Sequence, residues 1–365
     1  MQTPGKLTVF FVALTAVIGA GLYLNQRHAP APESPGGANL PQVIAPASHV
    51  PRQVVPVAHS ETEERTNRLG VPMPPTEKVE EYLARHNRNA ASLLAAFHAL
   101  SDTNYLNEAA TNFPNDPRVQ LAVLARNAFP EDRRKWLESF KTSSPSNSLA
   151  NYLSAQDYFK NRQPDAAMKE ISAASGKSQF KEYSMETILD GEDLGRFSGS
   201  SAMETREASM AAMSEDLLPQ LANFKAVALG IKDMQQQYAS AGDSASVQTL
   251  AQTGIDFANR ISTGDSGKIL ISQLVGMAVE AIATQSLDQN TPYDFLGGET
   301  PAQRLAEKKQ QRVSIRELSQ NLSSVLPTMS EDQMASYWER QKIYGELEAM
   351  RWLVQQSAAT PNSGN

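Results

Sequence analysis

The sequence predicts an all-α protein, a helical body carried behind one N-terminal membrane segment and a proline-rich tether. Three observations predict it. Leu7 to Leu24 is a stretch of 18 residues without a charge, and the segment from Asn25 to Pro75 contains no Phe, Trp or Tyr. From Thr76 onward, apolar residues recur at helical spacing in a background of Ala, Leu, Met, Gln, Glu and Lys. Alternating β-branched runs joined by Asn-Gly or Asp-Gly turns are missing, so no sheet is expected.

The first element follows a short tail, residues 1–6. A helix rises ~1.5 Å per residue, so residues 7–24 cover roughly 27 Å, close to the ~30 Å hydrocarbon thickness of a bilayer. A cleaved signal peptide is the competing reading, with an apolar core of about 7–15 residues and small residues at the cut. Ile18-Gly19-Ala20 matches that cut poorly, and Ala29-Pro30-Ala31 is interrupted by proline. A retained anchor is therefore expected. Lys6 and the amino terminus against Arg27 favour the N-terminus inside and the body exported, periplasmic if the source is bacterial, with secretion after cleavage as the alternative.

Residues 25–75 form the second element. Ten prolines lie between Ala29 and Pro75; each removes a backbone donor and favours extended conformations, so a disordered tether is expected. Coil statistics give it a mean reach of roughly 40 Å. No clean PxxP repeat marks it as a ligand, and it reads as a spacer.

Composition narrows the function classes. The chain holds 33 Lys+Arg against 40 Asp+Glu, a net charge of −7. Residues 1–75 carry five basic and four acidic side chains, which leaves the body at −8 and argues against a nucleic-acid partner. No cysteine is present, which excludes a disulfide scaffold, a cysteine zinc cluster, a thiol nucleophile, an iron–sulfur centre and a lipidated-cysteine anchor.

The body runs over residues 76–290. Thr76 follows Pro74-Pro75 as a candidate N-cap, and Val79, Leu83, Leu93, Leu94, Phe97 and Leu100 keep the helical period. Two helix starts lie 31 residues apart: Pro114-Asn115-Asp116-Pro117 before Val119, Leu121 and Leu124, and Pro145-Ser146-Asn147-Ser148 before Leu149, Tyr152 and Leu153. The second continues through Ala155 and Tyr158, a turn at Asn161 to Asp165, then Ala167, Ile171 and Ala174. This segment resembles a tetratricopeptide repeat. In that family a small residue and a Tyr on the first helix meet an Ala on the second, because close helix packing needs small residues where ridges cross. Ala155 takes the small position, Tyr158 the Tyr position, Ala167 the first packing Ala and Ala174 the second. The pattern departs at Tyr152, one place off the usual Trp, at Ser154, at Arg162 and in the missing closing Pro. A second unit spans Leu229 to Ile261, with Tyr238, the turn Ala241-Gly242-Asp243, and Val247 where Ala is usual. A degenerate one covers Pro114 to Thr142, with Trp136, Leu137 and Phe140. The resemblance implies antiparallel helical hairpins forming a short solenoid.

Gly191, Gly195 and Gly199 predict a loop or short broken helix over Asp190 to Ser201, and residues 291–300 a second loop. Residues 301–357 read as a terminal helical pair. Its first helix has Thr300 as cap, Pro301 at the first position and Gln303 completing a capping box; its second starts at Ser330 with Gln333. Met334, Tyr337, Trp338, Tyr344, Leu347, Met350 and Val354 line that second helix, and residues 358–365 are expected to be a disordered tail.

No constellation of catalysis is legible. Gly264-Asp265-Ser266-Gly267 lacks a histidine downstream, and Ser175-Gly176-Lys177-Ser178 lacks the leading glycine and strand of a phosphate loop. Asp190, Glu192 and Asp193 lack the calcium-loop pattern, and the five histidines lack metal spacing. No cofactor and no metal are expected. Arg304, Lys308, Arg312 and Arg316 recur every four residues, a basic face spanning roughly 120°. Glu307 and Glu317 neutralise part of it.

The expected function is a membrane-tethered scaffold or chaperone accessory without catalysis, binding a protein or peptide partner. If the repeat alignment holds, Tyr152, Gln156, Lys232 and Gln236 project into a concave groove. The alternatives are a self-assembling cell-envelope spacer and an α-helical hydrolase or lyase with a site between helices. Partner identity and oligomeric state are not legible.

Overall fold

The structure, a computed structural model, describes Thr66 and residues 72–359, with side chains to Ser357. The expected anchor (7–24), most of the tether and the tail lie outside the described residues. Among the described residues there are fourteen α-helices and no strand; only two isolated β-bridges occur. None of these helices is long and apolar enough to cross a membrane.

The helices follow one another through short connections. They are α1 (Thr76–Arg85), α2 (Ala90–Leu100), α3 (Thr103–Asn112), α4 (Pro117–Arg126), α5 (Arg133–Ser143), α6 (Leu149–Lys160) and α7 (Pro164–Ser175). Next come α8 (Ser184–Ser198), the long α9 (Ala202–Ser240), α10 (Ser244–Ser262) and α11 (Leu270–Thr284). A final group holds α12 (Pro301–Val325), α13 (Glu331–Tyr344) and α14 (Glu346–Ala359).

Local chemistry sets the starts. Asn89 accepts from the Ser92 amide at 2.9 Å and Asp116 from the Arg118 amide at 2.8 Å, with Pro117 at the first position of α4. Capping boxes close α9 (Ser201, Glu204), α12 (Thr300, Gln303) and α13 (Ser330, Gln333). Thr76 is the first helical residue, with Pro75 at the cap, so the expected boundary shifts by one place.

From α2 to α7 each helix packs on the next, giving the hairpins α2–α3, α4–α5 and α6–α7. Ala155, Ala167 and Ala174 are all fully buried where α6 meets α7. α8 returns onto α1 and α2, and α9 then lies across α2, α4 and α6, the first helix of each hairpin. Its residues Met213, Leu217, Leu221, Phe224, Val227 and Ile231 are all buried in the central core. α10 and α11 pack on the second half of α9.

Two expectations change. Asp190 to Ser201 is no loop as far as Ser198: it is the second half of α8. Gly191 and Gly195, one turn apart, face Ser209 and Thr205 on α9. A Cβ at Gly191 would lie 2.7 Å from Ser209 Oγ, and one at Gly195 2.6 Å from Thr205 Cγ2. The glycines serve a close helix crossing, and the chain breaks only at Gly199, where φ is +83°. The terminal pair is a group of three, because Gly345 ends α13 at φ +92°. Glu346 then turns inward, its Oε2 accepting from the Leu270 amide at 2.9 Å.

The same close packing operates at Gly254 on α10, where a Cβ would stand 2.5 Å from the Cβ of Ala283 on α11. Gly254→Val should therefore cost about 2–3 kcal/mol by forcing the two helices apart. The denaturant midpoint checks it; an unchanged midpoint contradicts the tight crossing.

Candidate functional site

Tyr152, expected in an open groove, is 2 % exposed. Its ring stacks on Phe257 with centroids 4.1 Å apart, and Phe180 lies 6.1 Å away. Burial drives the phenol pKa well above its ordinary value. The reason is α9: by resting on α2, α4 and α6 it covers the face that first helices would offer a ligand, and Phe224 and Phe257 complete the seal. Gln156 and Lys232 are half-buried and Gln236 is exposed. With Tyr152 in the core, the four residues do not form the groove that the repeat alignment implies.

The basic face is divided. Arg304 Nε sits 2.6 Å from Glu280 Oε1 and Lys308 Nζ 3.3 Å from Glu280 Oε2, while the Glu280 side chain is only 5 % exposed. Glu299 and Glu307 also approach Arg304, at 3.6 and 3.1 Å. These two cations fasten α12 onto α11. Arg312 is half-buried and Arg316 exposed, and neither has an ion pair among the described residues.

A polar cavity that sequence reasoning missed lies where α9 crosses α2 and α4. It is lined by His98 of α2, Arg118 of α4, Asp190 of α8, Asp216 and Gln220 of α9, and Glu182 from the α7–α8 connection. His98 Nε2 is 3.1 Å from Asp216 Oδ2, and Arg126 Nη2 lies 3.0 Å from the other Asp216 oxygen. Burial, more than Arg126, lowers the His98 pKa against the pull of Asp216. The shift favours the neutral ring at pH 7, with Nε2 turned toward Asp216. Burial pushes Asp190 up to about 6, opposed by Arg118 at 3.0 Å. Glu182 is 7 % exposed and neither of its oxygens has a hydrogen-bond partner, so burial pushes it up to about 7. Ser266 Oγ, also without a formed hydrogen bond, is the neighbour that pulls Glu182 the other way. Three side chains of this cavity thus hold unpartnered polar atoms: His98 Nδ1, Gln220 Oε1 and both Glu182 oxygens. The cavity measures about 20 Å³, room for one water and not for an organic substrate. Among the described residues, no group of three or more His, Asp or Glu is placed to hold a metal ion.

An exposed cleft lies between α13 and α14. Its volume is about 240 Å³, and Arg340, Tyr344, Glu348, Arg351, Trp352 and Gln355 line it. That is below the roughly 300–1,000 Å³ of small-molecule sites and sized for one or two side chains. The Arg340 guanidinium sits 4.5 Å from the Trp352 ring centroid and 5.7 Å from that of Tyr344. Beside it, Ile343 is 59 % and Tyr344 60 % exposed, the two most exposed large apolar side chains among the described residues. The Gly345 break creates this surface by turning α14 back beside α13, and the sequence reading ran one helix straight through it.

Comparison with protein-family models, curated proteins and solved structures found no match.

Two outcomes test these assignments. Glu182 holds its proton more tightly folded than unfolded, so its contribution to stability is full below pH 4.5 and is lost as pH rises through about 7. Glu182→Gln, neutral at every pH, should match the parent near pH 4.5 and exceed it by about 3 kcal/mol at pH 8 in urea unfolding. A pH-independent difference contradicts the buried neutral carboxyl. Arg304→Ala should cost about 2 kcal/mol by leaving Glu280 with Lys308 alone, and Arg316→Ala less than about 0.5. Equal effects in the same unfolding assay would contradict the split of the basic face.

Proposed function

We propose that this protein is a membrane-tethered scaffold, non-catalytic, that binds a protein or peptide partner on its exported side. The observation that carries the reading is the α13–α14 cleft, where Arg340 lies against the rings of Trp352 and the exposed Tyr344, with the exposed Ile343 next in sequence to Tyr344. Interfaces concentrate their energy in such aromatic and arginine anchors. Consecutive hairpins and the buried alanines of α6 and α7 support a tetratricopeptide-like arrangement. In this reading α9 permanently occupies the concave side, and the binding face is carried by the C-terminal helices. Residues 7–24 would supply the anchor and residues 25–75 the reach.

A photo-crosslinking amino acid at Ile343 of the full-length chain in its native cells tests the reading, with Lys309, exposed on α12, as the control position. The expected result is a discrete protein adduct from position 343 that is absent from position 309. No adduct, or the same adducts from both positions, overturns it.

A further inference from the structure

Three cations lie on α13 and α14. Lys342 Nζ is 3.2 Å from Glu192 and 2.6 Å from Glu339, and Arg351 is paired with Glu348. Arg340 alone of the three has no acidic partner among the described residues. Its guanidinium is held over Trp352 and near Tyr344. Aromatic rings satisfy the face of a guanidinium and not its N–H edge, which stays a planar fork of donors. Much of the rotamer entropy that an arginine loses on binding has already been lost in this stack.

From this we infer that Arg340 is the anion anchor of the cleft, and that the occupant is a peptide segment presenting an Asp or Glu carboxylate next to an aliphatic side chain. The inference rests on the scaffold reading and names its ligand. A carboxylate offers two coplanar oxygens to the two parallel N–H bonds of one fork. The aliphatic neighbour answers Tyr344, which lines the cleft, and the exposed Ile343 next to it in sequence. A doubly charged phosphate fits less well, because Glu348 lines the same cleft and repels a dianion more than a monoanion. An anionic bilayer fits less well again, since the body carries a net charge of −8 and the cleft offers one unpaired cation to offset it.

The test uses the full-length chain in phosphatidylcholine nanodiscs and fluorescein-labelled peptides Gly-Leu-Xaa-Leu-Gly, read by anisotropy. Xaa is Glu, Gln or phosphoserine. The Glu peptide should bind about tenfold more tightly than the Gln peptide, the scale of one charge-assisted fork. Arg340→Gln should abolish that preference, and Arg340→Lys should restore only part of it, because an ammonium keeps the charge and loses the fork. Several results overturn the inference: no binding of the Glu peptide at millimolar concentration, equal binding of the Glu and Gln peptides, a preference that survives Arg340→Gln, or tighter binding of the phosphoserine peptide. Competition from phosphatidylglycerol added to the discs would mark a headgroup site and overturn it too. A positive crosslink at Ile343 together with equal Glu and Gln binding would remove the carboxylate anchor and leave the scaffold reading intact. A negative crosslink would remove both.

Discussion

The fold depends on one helix finding three others. α9 carries a buried stripe from Met213 to Ile231 and lays it across α2, α4 and α6. A hairpin cannot bury both of its faces by itself, so consecutive hairpins leave the faces of their first helices to be covered. Here the cover comes from the same chain. Tyr152, Phe224 and Phe257 meet in one aromatic cluster as a result, and the surface that a ligand would enter in an open array becomes core. Residues Gly191 and Gly195 let α8 approach α9 closely enough for both to share the N-terminal end of the assembly. The C-terminal helices join through Arg206 on α9, 3 % exposed, which donates to Glu192 of α8 and Gln341 of α13 at 2.8 and 3.0 Å.

Charge inside this assembly follows from burial more than from pairing. Glu192 holds both Arg206, through Nη1, and Lys342, and Glu280 has both Arg304 and Lys308. Such pairs hold geometry, and their value lies in the penalty for losing one partner. Glu182, His98 and Gln220 at the α9 crossing, like Arg206 at its Nε, each keep a buried polar atom without a partner. Burial shifts Glu182 and His98 toward their neutral forms, which cost far less to bury than ions.

Signals that act within a few residues were legible. The capping boxes at Thr300 and Ser330 stand as read, since a cap needs only the side chain three positions away. The alanines of α6 and α7 are buried, as the repeat resemblance implies. Gly191 and Gly195 were misread because the missing side chain that loosens an isolated helix is the same feature that permits a close crossing, and the partner at Ser209 and Thr205 is not visible in the local pattern. The basic stripe of α12 was seen, yet its division was not, because Glu280 reaches Arg304 from another helix. His98 and Asp216 lie 118 positions apart, a separation that no motif spans.

By itself the sequence determined the helical class, the helix starts at Pro117, Leu149, Pro301 and Glu331, and the contrast between an apolar N-terminal stretch, an aromatic-free proline segment and an acidic body. Each is a property of neighbours along the chain: period, cap, composition. Only the tertiary structure decided that α9 covers the first helices of the hairpins, that Tyr152 is core, and that Arg340 lies against two rings near the Gly345 turn with no acidic partner among the described residues. The physical reason is that burial and pairing are settled by which surfaces meet. A residue pattern states which face of a helix is apolar, and only the packing of distant helices states what covers it.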